Sequence, residues 1–181
     1  MRAAFLAISL LAGGAQAQTA SAPAAAQTPT PEAAMAAISG LKGVWLGDGW
    51  RILPDGKRVT FTQLMTIEPK AGGAVYTIEG KSLRTSEPNA KPGSGSFGVI
   101  TFEPARGYRF RSFSRGDYVD VPGEVMGPGV FRWTVPGAVS LRFTVDSNRK
   151  DGWDEIGERS TDGGKTWLPS YGVTAHRIEA R

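Results

Sequence analysis

The residue types that most often carry catalysis or bind metals are scarce in this chain. It has 181 residues, a single histidine, His176, and no cysteine. Metal sites built from thiolates and disulfide frameworks are therefore excluded, and so is any catalytic pair that needs two imidazoles. Any chemistry that requires an imidazole would depend on His176 alone.

Acidic side chains fall in two groups whose spacing bears on acid–base catalysis. Asp117 and Asp120 lie in one short run, and Asp154, Glu155 and Glu158 lie in another. On a β-strand, Asp154 and Glu158 would share one face and Glu155 would point to the other. Arginines are interleaved with these acids, so we expect all of them to be solvated charges on an outer face. No serine stands in a G-x-S-x-G nucleophile motif, and the sequence indicates no enzyme.

The basic residues are scattered along the chain, whose formal net charge is +4. No run of five like charges occurs, which favours a solvated surface over one that binds nucleic acid. Four arginines alternate with aromatic or apolar residues: Arg109, Arg111, Arg132 and Arg142. We expect them to face solvent, because four unpaired arginines inside a protein would be very costly. A reversed strand would instead aim them at an anionic head group.

The first 30 residues have the composition of an export signal followed by a linker. Residues 1–17 combine a basic start, an apolar run over 3–12 and an Ala15-Gln16-Ala17 cleavage motif. The apolar run is too short to cross a bilayer as a helix, and no lipid-anchoring cysteine follows it. We predict cleavage near Ala17, a periplasmic or secreted protein, and no stable membrane anchor. Residues 18–30 lack charges and large apolar side chains and are predicted to be a disordered linker.

A short helix is predicted at the start of the domain that we assign to residues 31–181. Thr30 is a suitable N-cap, Pro31 suits the first helical position, and Gly40 is a natural stop. Three apolar residues at three-residue spacing are expected to pack onto the domain: Met35, Ile38 and Leu41.

The rest of the chain alternates between short apolar/polar runs and turn-forming residues, which is typical of antiparallel strands. Pro122-Gly123 is one of the predicted breaks. The predicted runs cover residues 43–52, 58–67, 74–84, 97–103, 107–113, 117–121, 124–127, 130–135, 139–146, 153–160 and 171–179. About ten consecutive strands must close into a barrel or split into a sandwich, and short loops favour an up-and-down barrel. The predicted class is all-β, with one leading helix.

Two segments resemble a family of exported bacterial lipocalin-like proteins of unassigned function. The first, over residues 41–49, has the form L-x-G-x-W-x-G-x-G, and the second is the S-x-D-G-G-x-x-W segment at 160–167. The first is also similar to the start of nitrobindin-type haem-binding barrels. In this motif Gly43, Gly47 and Gly49 have no side chain that would obstruct a neighbouring backbone. Trp45 would fill the end of the barrel. The nitrobindin resemblance implies His176 as an axial haem ligand on the last strand.

The second segment is also similar to the Asp-box turn of sialidases and other propellers. There, Asp162 would accept backbone N–H groups, while Gly163 and Gly164 would take positive φ angles. Ser160 completes the motif, and Trp167 would pack beneath the turn. We expect a structural hairpin from this single copy, with no role in chemistry.

The lipocalin-like resemblance implies a barrel that binds a small apolar molecule in its interior. The candidate lining residues are Trp45, Phe61, Met65, Tyr76, Phe110, Phe131, Trp133 and Phe143. Two alternatives stay open: a haem site at His176, and a filled barrel that acts as a structural or interaction module. The leading hypothesis requires no cofactor or metal, and the sequence leaves the oligomeric state open.

Overall fold

The structure is a computed structural model that describes residues 28–86, 95–114 and 116–178. The predicted signal peptide over 1–17 and most of the predicted linker lie outside the described residues. Residues 28–30 have no regular secondary structure and are exposed.

The predicted helix is present at the start of the domain. Helix α1 spans Pro31–Met35, and the Thr30 hydroxyl caps it by accepting the Ala33 N–H at 3.3 Å. A 3₁₀ segment, Ala36–Leu41, continues it to the first strand. Met35, Ile38 and Leu41 are buried, so the apolar spacing correctly predicted the packed face.

Ten antiparallel strands follow, each paired with the next, and the last pairs with the first to close a barrel. They are β1 (Gly43–Ile52), β2 (Arg58–Lys70), β3 (Val75–Thr85), β4 (Gly95–Glu103), β5 (Gly107–Ser114), β6 (Asp117–Gly127), β7 (Val130–Val135), β8 (Ser140–Asp146), β9 (Gly152–Ser160) and β10 (Leu168–Arg177). The closing pair aligns Trp45 with Arg177 and Arg51 with Tyr171. This architecture confirms the predicted all-β up-and-down barrel with a short N-terminal helix.

The predicted break at Pro122-Gly123 is wrong, because both residues lie inside β6. Pro122 is aligned only with Arg109 on β5, whereas Gly123 is aligned with both β5 and β7. At Pro122, β6 is therefore paired on one side only. A proline is tolerated there because the N–H that it lacks is not needed for a hydrogen bond to a second strand. A Cβ on Gly123 would lie 2.4 Å from the Phe131 ring, so glycine at this position makes room for a core side chain.

Strict alternation places one set of side chains inside the barrel and the other outside. On β9, for example, Trp153, Glu155 and Gly157 are buried, while Ile156 between them is exposed. The buried core joins strand residues to the helix: Met35, Ile38, Leu41, Trp45, Ile67, Tyr76, Ile100, Phe131, Val145, Trp153, Val173 and Ala175.

The four arginines lie on the outer face, as predicted, and three of them form ion pairs with acids on neighbouring strands. Arg109 binds Asp120 at 2.6 Å, and Arg111 binds Glu103 at 2.6 Å. Arg142 binds Glu158 at 2.8 Å, and Arg132 donates to the Thr144 hydroxyl at 3.0 Å. The hydrogen bond from Arg109 is the main cause that lowers the pKa of Asp120. Three of the four arginines are thus paired with acids outside the barrel.

Candidate ligand-binding cavity

The helix closes one end of the barrel. The Tyr108 hydroxyl donates to the Ala34 carbonyl at 2.7 Å, and the Gly129 N–H donates to the Ala37 carbonyl at 2.9 Å. These bonds fix the helix to the barrel through its backbone carbonyls. Its buried side chains thereby form the floor of the barrel interior.

Trp45 joins this floor to the first strand. Its indole N–H donates to the Leu41 carbonyl at 2.8 Å, and its ring meets Trp153 edge-on at a centroid distance of 6.3 Å. The Arg177 guanidinium covers the ring at 4.1 Å.

The glycines of the Trp45 motif lie at points of close approach. At Gly49, a Cβ would lie 2.4 Å from the Phe61 ring and 2.8 Å from a backbone oxygen of β10. Gly47 and Gly43 are likewise crowded by Val173 and Arg177. The motif thus combines one large residue with small ones where neighbouring groups need the space.

Above the floor lies an interior cavity of about 160 Å³. Its walls are mostly apolar, and they include Leu41, Gln63, Met65, Ile67, Ile78, Ser96, Ile100, Phe110, Phe131, Trp133, Val145, Trp153, Glu155 and Tyr171. Four of the eight predicted lining residues belong to this wall: Met65, Phe110, Phe131 and Trp133. The other four, Trp45, Phe61, Tyr76 and Phe143, share the inward-facing register but pack outside the cavity wall.

A connected set of five rings, which we call the aromatic layer, crosses the barrel on the side away from the helix. Its members are Phe110, Trp133, Phe143, Tyr171 and Phe61. Consecutive ring centroids lie 4.3, 5.3, 5.9 and 5.7 Å apart. The cavity is therefore bounded by the helix floor on one side and by aromatic rings on the other.

Glu155 is the charged residue of the cavity wall, and our prediction that it is a solvated outer-face charge is wrong. It is only 8% exposed, because it faces inward between Val145 on β8 and Val173 on β10. Burial raises the pKa of its carboxyl from 4.5 to about 8. No hydrogen bond or ion pair to this carboxyl is formed by any residue within 28–86, 95–114 and 116–178.

Two further polar side chains, Tyr171 and Gln63, lie in the same wall. The Gln63 amide donates to the Met65 sulfur at 2.9 Å. Burial, followed by the proximity of Glu155, raises the pKa of Tyr171 well above 10, whereas Gln63 and Arg51 act in the opposite direction. The Tyr171 hydroxyl therefore stays protonated throughout the physiological range.

The Trp153 indole N–H is a buried donor without an acceptor in the described part of the chain. Buried donors in native proteins nearly always have a partner. Trp153 also belongs to the cavity wall, so this polar atom and the Glu155 carboxyl both lie unpaired in one region of the interior.

His176 lies on the outer face of β10, where it is exposed and aligned with Leu46 and Gly152. It therefore points away from the cavity. The cavity wall contains no imidazole, and its volume is below the range of about 300–1,000 Å³ typical of sites for drug-sized ligands. The residues present do not fit a haem enclosed in the barrel. Among the described residues, no cluster of three or more acids or histidines is arranged to hold a metal ion.

A larger groove of about 660 Å³ lies outside the barrel, between the ends of strands β1, β2 and β3. Trp50 and Arg58 line it, with the guanidinium 4.4 Å from the ring centroid. This groove is open to solvent, whereas the interior cavity is more enclosed and is mostly apolar with a few polar groups. The interior cavity is therefore the better candidate for a small-molecule site.

The hairpin between β9 and β10 has the geometry expected of an Asp-box turn. Asp162 accepts the Lys165 and Thr166 N–H groups at 3.0 Å each and the Thr166 hydroxyl at 2.6 Å. The Ser160 hydroxyl donates to Asp162 at 2.8 Å. Gly163 and Gly164 have φ angles of 73° and 88°. The Trp167 indole donates to the Gly164 carbonyl at 3.0 Å, and its ring stacks beneath a guanidinium on β8.

Asp162→Ala is expected to weaken this hairpin, because it removes the acceptor of four donors. The hydrogen bond from the Thr166 hydroxyl is the largest cause that lowers the pKa of Asp162 to about 2. The carboxylate therefore stabilises the folded protein above about pH 4, and this contribution is lost as the pH falls towards about 2. We expect faster hydrogen exchange at the Lys165 and Thr166 amides and a lower thermal midpoint at neutral pH.

Asp55→Ala is the control for this substitution, since Asp55 also caps an exposed turn but accepts a single bond, from the Lys57 N–H at 2.9 Å. Its effect on the thermal midpoint should be smaller. Equal effects from the two substitutions would contradict a special role for the Asp162 turn.

Sequence reasoning missed Glu155, Tyr171 and Gln63 as site residues. A signal for Glu155 was present, because Trp153 and Gly157 lie two residues before and after it, on the same face of the strand, and are apolar or small. Tyr171 and Gln63 gave no such signal, since their inward position depends on the register between strands.

The fold and its interior cavity define a lipocalin-like β-barrel. Among solved structures, the chain is similar to Rv2717c from M. tuberculosis, with 16% identity, a TM-score of 0.53, and coverage of 81% of this chain and 98% of that one. It is also similar to the S-type phycobiliprotein lyase CPES from Guillardia theta, with 10% identity, a TM-score of 0.56, and coverage of 80% and 92%. No protein-family model matches the chain, and no curated protein sequence matches it.

In the part of the chain that the structure describes, no helix has the length and apolar character needed to cross a membrane.

Proposed function

We propose that this protein binds a small, largely apolar molecule in the interior cavity. The observation that carries the proposal is the interior space between the helix floor and the aromatic layer, about 160 Å³ in volume. Protein interiors are normally packed without voids of this size. A cavity retained inside an otherwise complete core supports a binding role over a filled structural barrel.

The volume sets the size of the ligand. An engineered apolar cavity of about 150 Å³ in another protein is known to bind benzene. The interior cavity of this barrel is of that order, so we propose a ligand about the size of a single ring. We further propose that the protein acts by binding rather than catalysis and that it does so after export, as residues 1–17 indicate.

We expect toluene to bind to the wild-type protein and Val145→Phe to weaken this binding at least tenfold. Val145 is buried in the cavity wall, so a larger side chain there would occupy the ligand's space. Binding is measured by titration calorimetry and by the fluorescence of Trp133 and Trp153, which both line the cavity.

Val139→Phe is the matched control, because Val139 is 49% exposed on the loop before β8. It should bind toluene like the wild type. Ile78→Phe is a second cavity-filling variant on another strand, and circular dichroism verifies that each variant is folded. The proposal fails if toluene does not bind at millimolar concentration, or if both filling variants bind it unchanged.

A further inference from the structure

We propose that the natural ligand of the interior cavity is a small amine that binds as an ammonium ion, with its charge balanced by the Glu155 carboxylate. This amine assignment rests on the proposed function, since it specifies the chemistry of a molecule bound at the same site. It follows from the charges, the hydrogen-bond donors and the aromatic rings of the cavity wall.

The carboxylates of β9 differ in their pairing. Asp154 and Glu158, on the outer face, each bind an arginine, Arg149 at 3.1 Å and Arg142 at 2.8 Å. Glu155, on the inner face of the same strand, has no cation beside it in the described residues, although it is 8% exposed and borders the cavity. A buried carboxylate requires a partner to be ionised. A cation in the cavity would be that partner.

The hydrogen-bond donors of the wall leave the Glu155 carboxyl without a partner. The Gln63 amide donates to the Met65 sulfur. The Trp153 N–H is unpaired, but it is enclosed by protein atoms. The Glu155 carboxyl is the charged group that borders the empty space, alongside the polar side chains of Gln63, Ser96 and Tyr171, and an ionised carboxylate only accepts hydrogen bonds. A ligand with N–H donors complements it.

The aromatic rings of the wall also favour a cation. Phe110, Trp133 and Tyr171, three members of the aromatic layer, line the cavity. The faces of aromatic rings attract cations, most strongly when water is excluded. A ring-sized amine would pack its apolar part against these rings and place its ammonium group at Glu155.

The binding of such an amine must be coupled to the release of a proton. In the empty barrel at neutral pH, the Glu155 carboxyl is protonated because burial raises its pKa to about 8. When the ammonium ion binds, the carboxyl proton leaves for bulk water and a carboxylate–ammonium pair forms. Tyr171 is the other titratable residue of the wall, and it stays protonated in this range. The affinity should therefore rise about tenfold per pH unit between about pH 5 and pH 7.

The test compares benzylamine, benzyl alcohol and toluene, three probes of similar size that differ in their polar group. Calorimetry in two buffers of different ionisation enthalpy measures affinity and proton release together. At pH 7 we expect benzylamine to bind at least tenfold more tightly than the other two, with nearly one proton released. Glu155→Gln should abolish this preference and the pH dependence.

Glu158→Gln, on the outer face of the same strand, is the control and should bind benzylamine like the wild type. If toluene and benzyl alcohol bind but benzylamine has no advantage, the amine assignment is overturned and the proposed function stands. If benzylamine binds tightly but Glu155→Gln has no effect, the amine lies elsewhere and the assignment is again overturned. If toluene does not bind at millimolar concentration, the proposed function fails, and the amine assignment fails with it.

Discussion

Replacing Glu155 by methionine is expected to stabilise the ligand-free barrel, and the gain is expected to grow with pH. The carboxyl has a pKa of about 8 in the folded protein, compared with 4.5 when it is solvated. Between these pH values the folded state holds a proton that the unfolded state releases, so the stability of the wild type falls as the pH rises. The linkage relation gives a gain of about 3 kcal/mol at pH 7 and a smaller one at pH 5.

Urea unfolding at pH 5, 7 and 8, followed by tryptophan fluorescence, measures this gain. Glu158→Met is the control, because Glu158 is paired with Arg142 outside the barrel; it should give no gain at any pH. A stabilisation by Glu155→Met that is equal at pH 5 and pH 8 would show that the carboxyl is not buried. The expected result means that the empty protein is less stable because of one side chain, a cost typical of functional sites.

Trp45→Ala is expected to destabilise the folded barrel by about 3–5 kcal/mol. Trp45 is 1% exposed. Its ring packs against Trp153, and its indole N–H holds the end of the 3₁₀ segment through the Leu41 carbonyl. Removal of the ring leaves a cavity and an unpaired carbonyl, and it frees the helix from the first strand.

Trp50→Ala is the matched control on the same strand. Trp50 has the opposite parity, and its ring contacts Arg58 outside the barrel, so we expect a loss below about 1 kcal/mol. Chemical unfolding of both variants, followed by circular dichroism, gives the comparison. Similar losses for the two substitutions would contradict the role of Trp45 as the plug of the barrel.

The fold could be predicted from the sequence because alternation and turn residues are local signals. The runs that contain Phe131 and Trp133, or Leu141 and Phe143, correctly predicted strands with one buried face. The break at Pro122 could not be corrected from the sequence, because the tolerance for proline there depends on how far β7 extends alongside β6.

The candidate site was predictable only in part. Whether a side chain faces inward follows from the alternation of residues along a strand, and all eight proposed lining residues do face the inside of the barrel. Whether a ring borders a cavity or fills space depends on packing between distant strands, and for that reason Phe61 and Phe143 close the aromatic layer rather than line the wall. Glu155 was assigned outward because its acidic neighbours dominated the local pattern, although Trp153 shares its face.

The closing pair of strands has a consequence for how the protein acquires its function. Trp45 lies beside Arg177 in this pair, and the Ile178 N–H donates to the Val44 carbonyl at 3.0 Å. These contacts join the two ends of the domain, so they form only once the last strand of the chain is available. Tyr171, on that last strand, also completes the cavity wall. A nascent or truncated chain that lacks β10 can neither close the barrel nor complete the cavity wall, so we expect ligand binding only once this strand is in place.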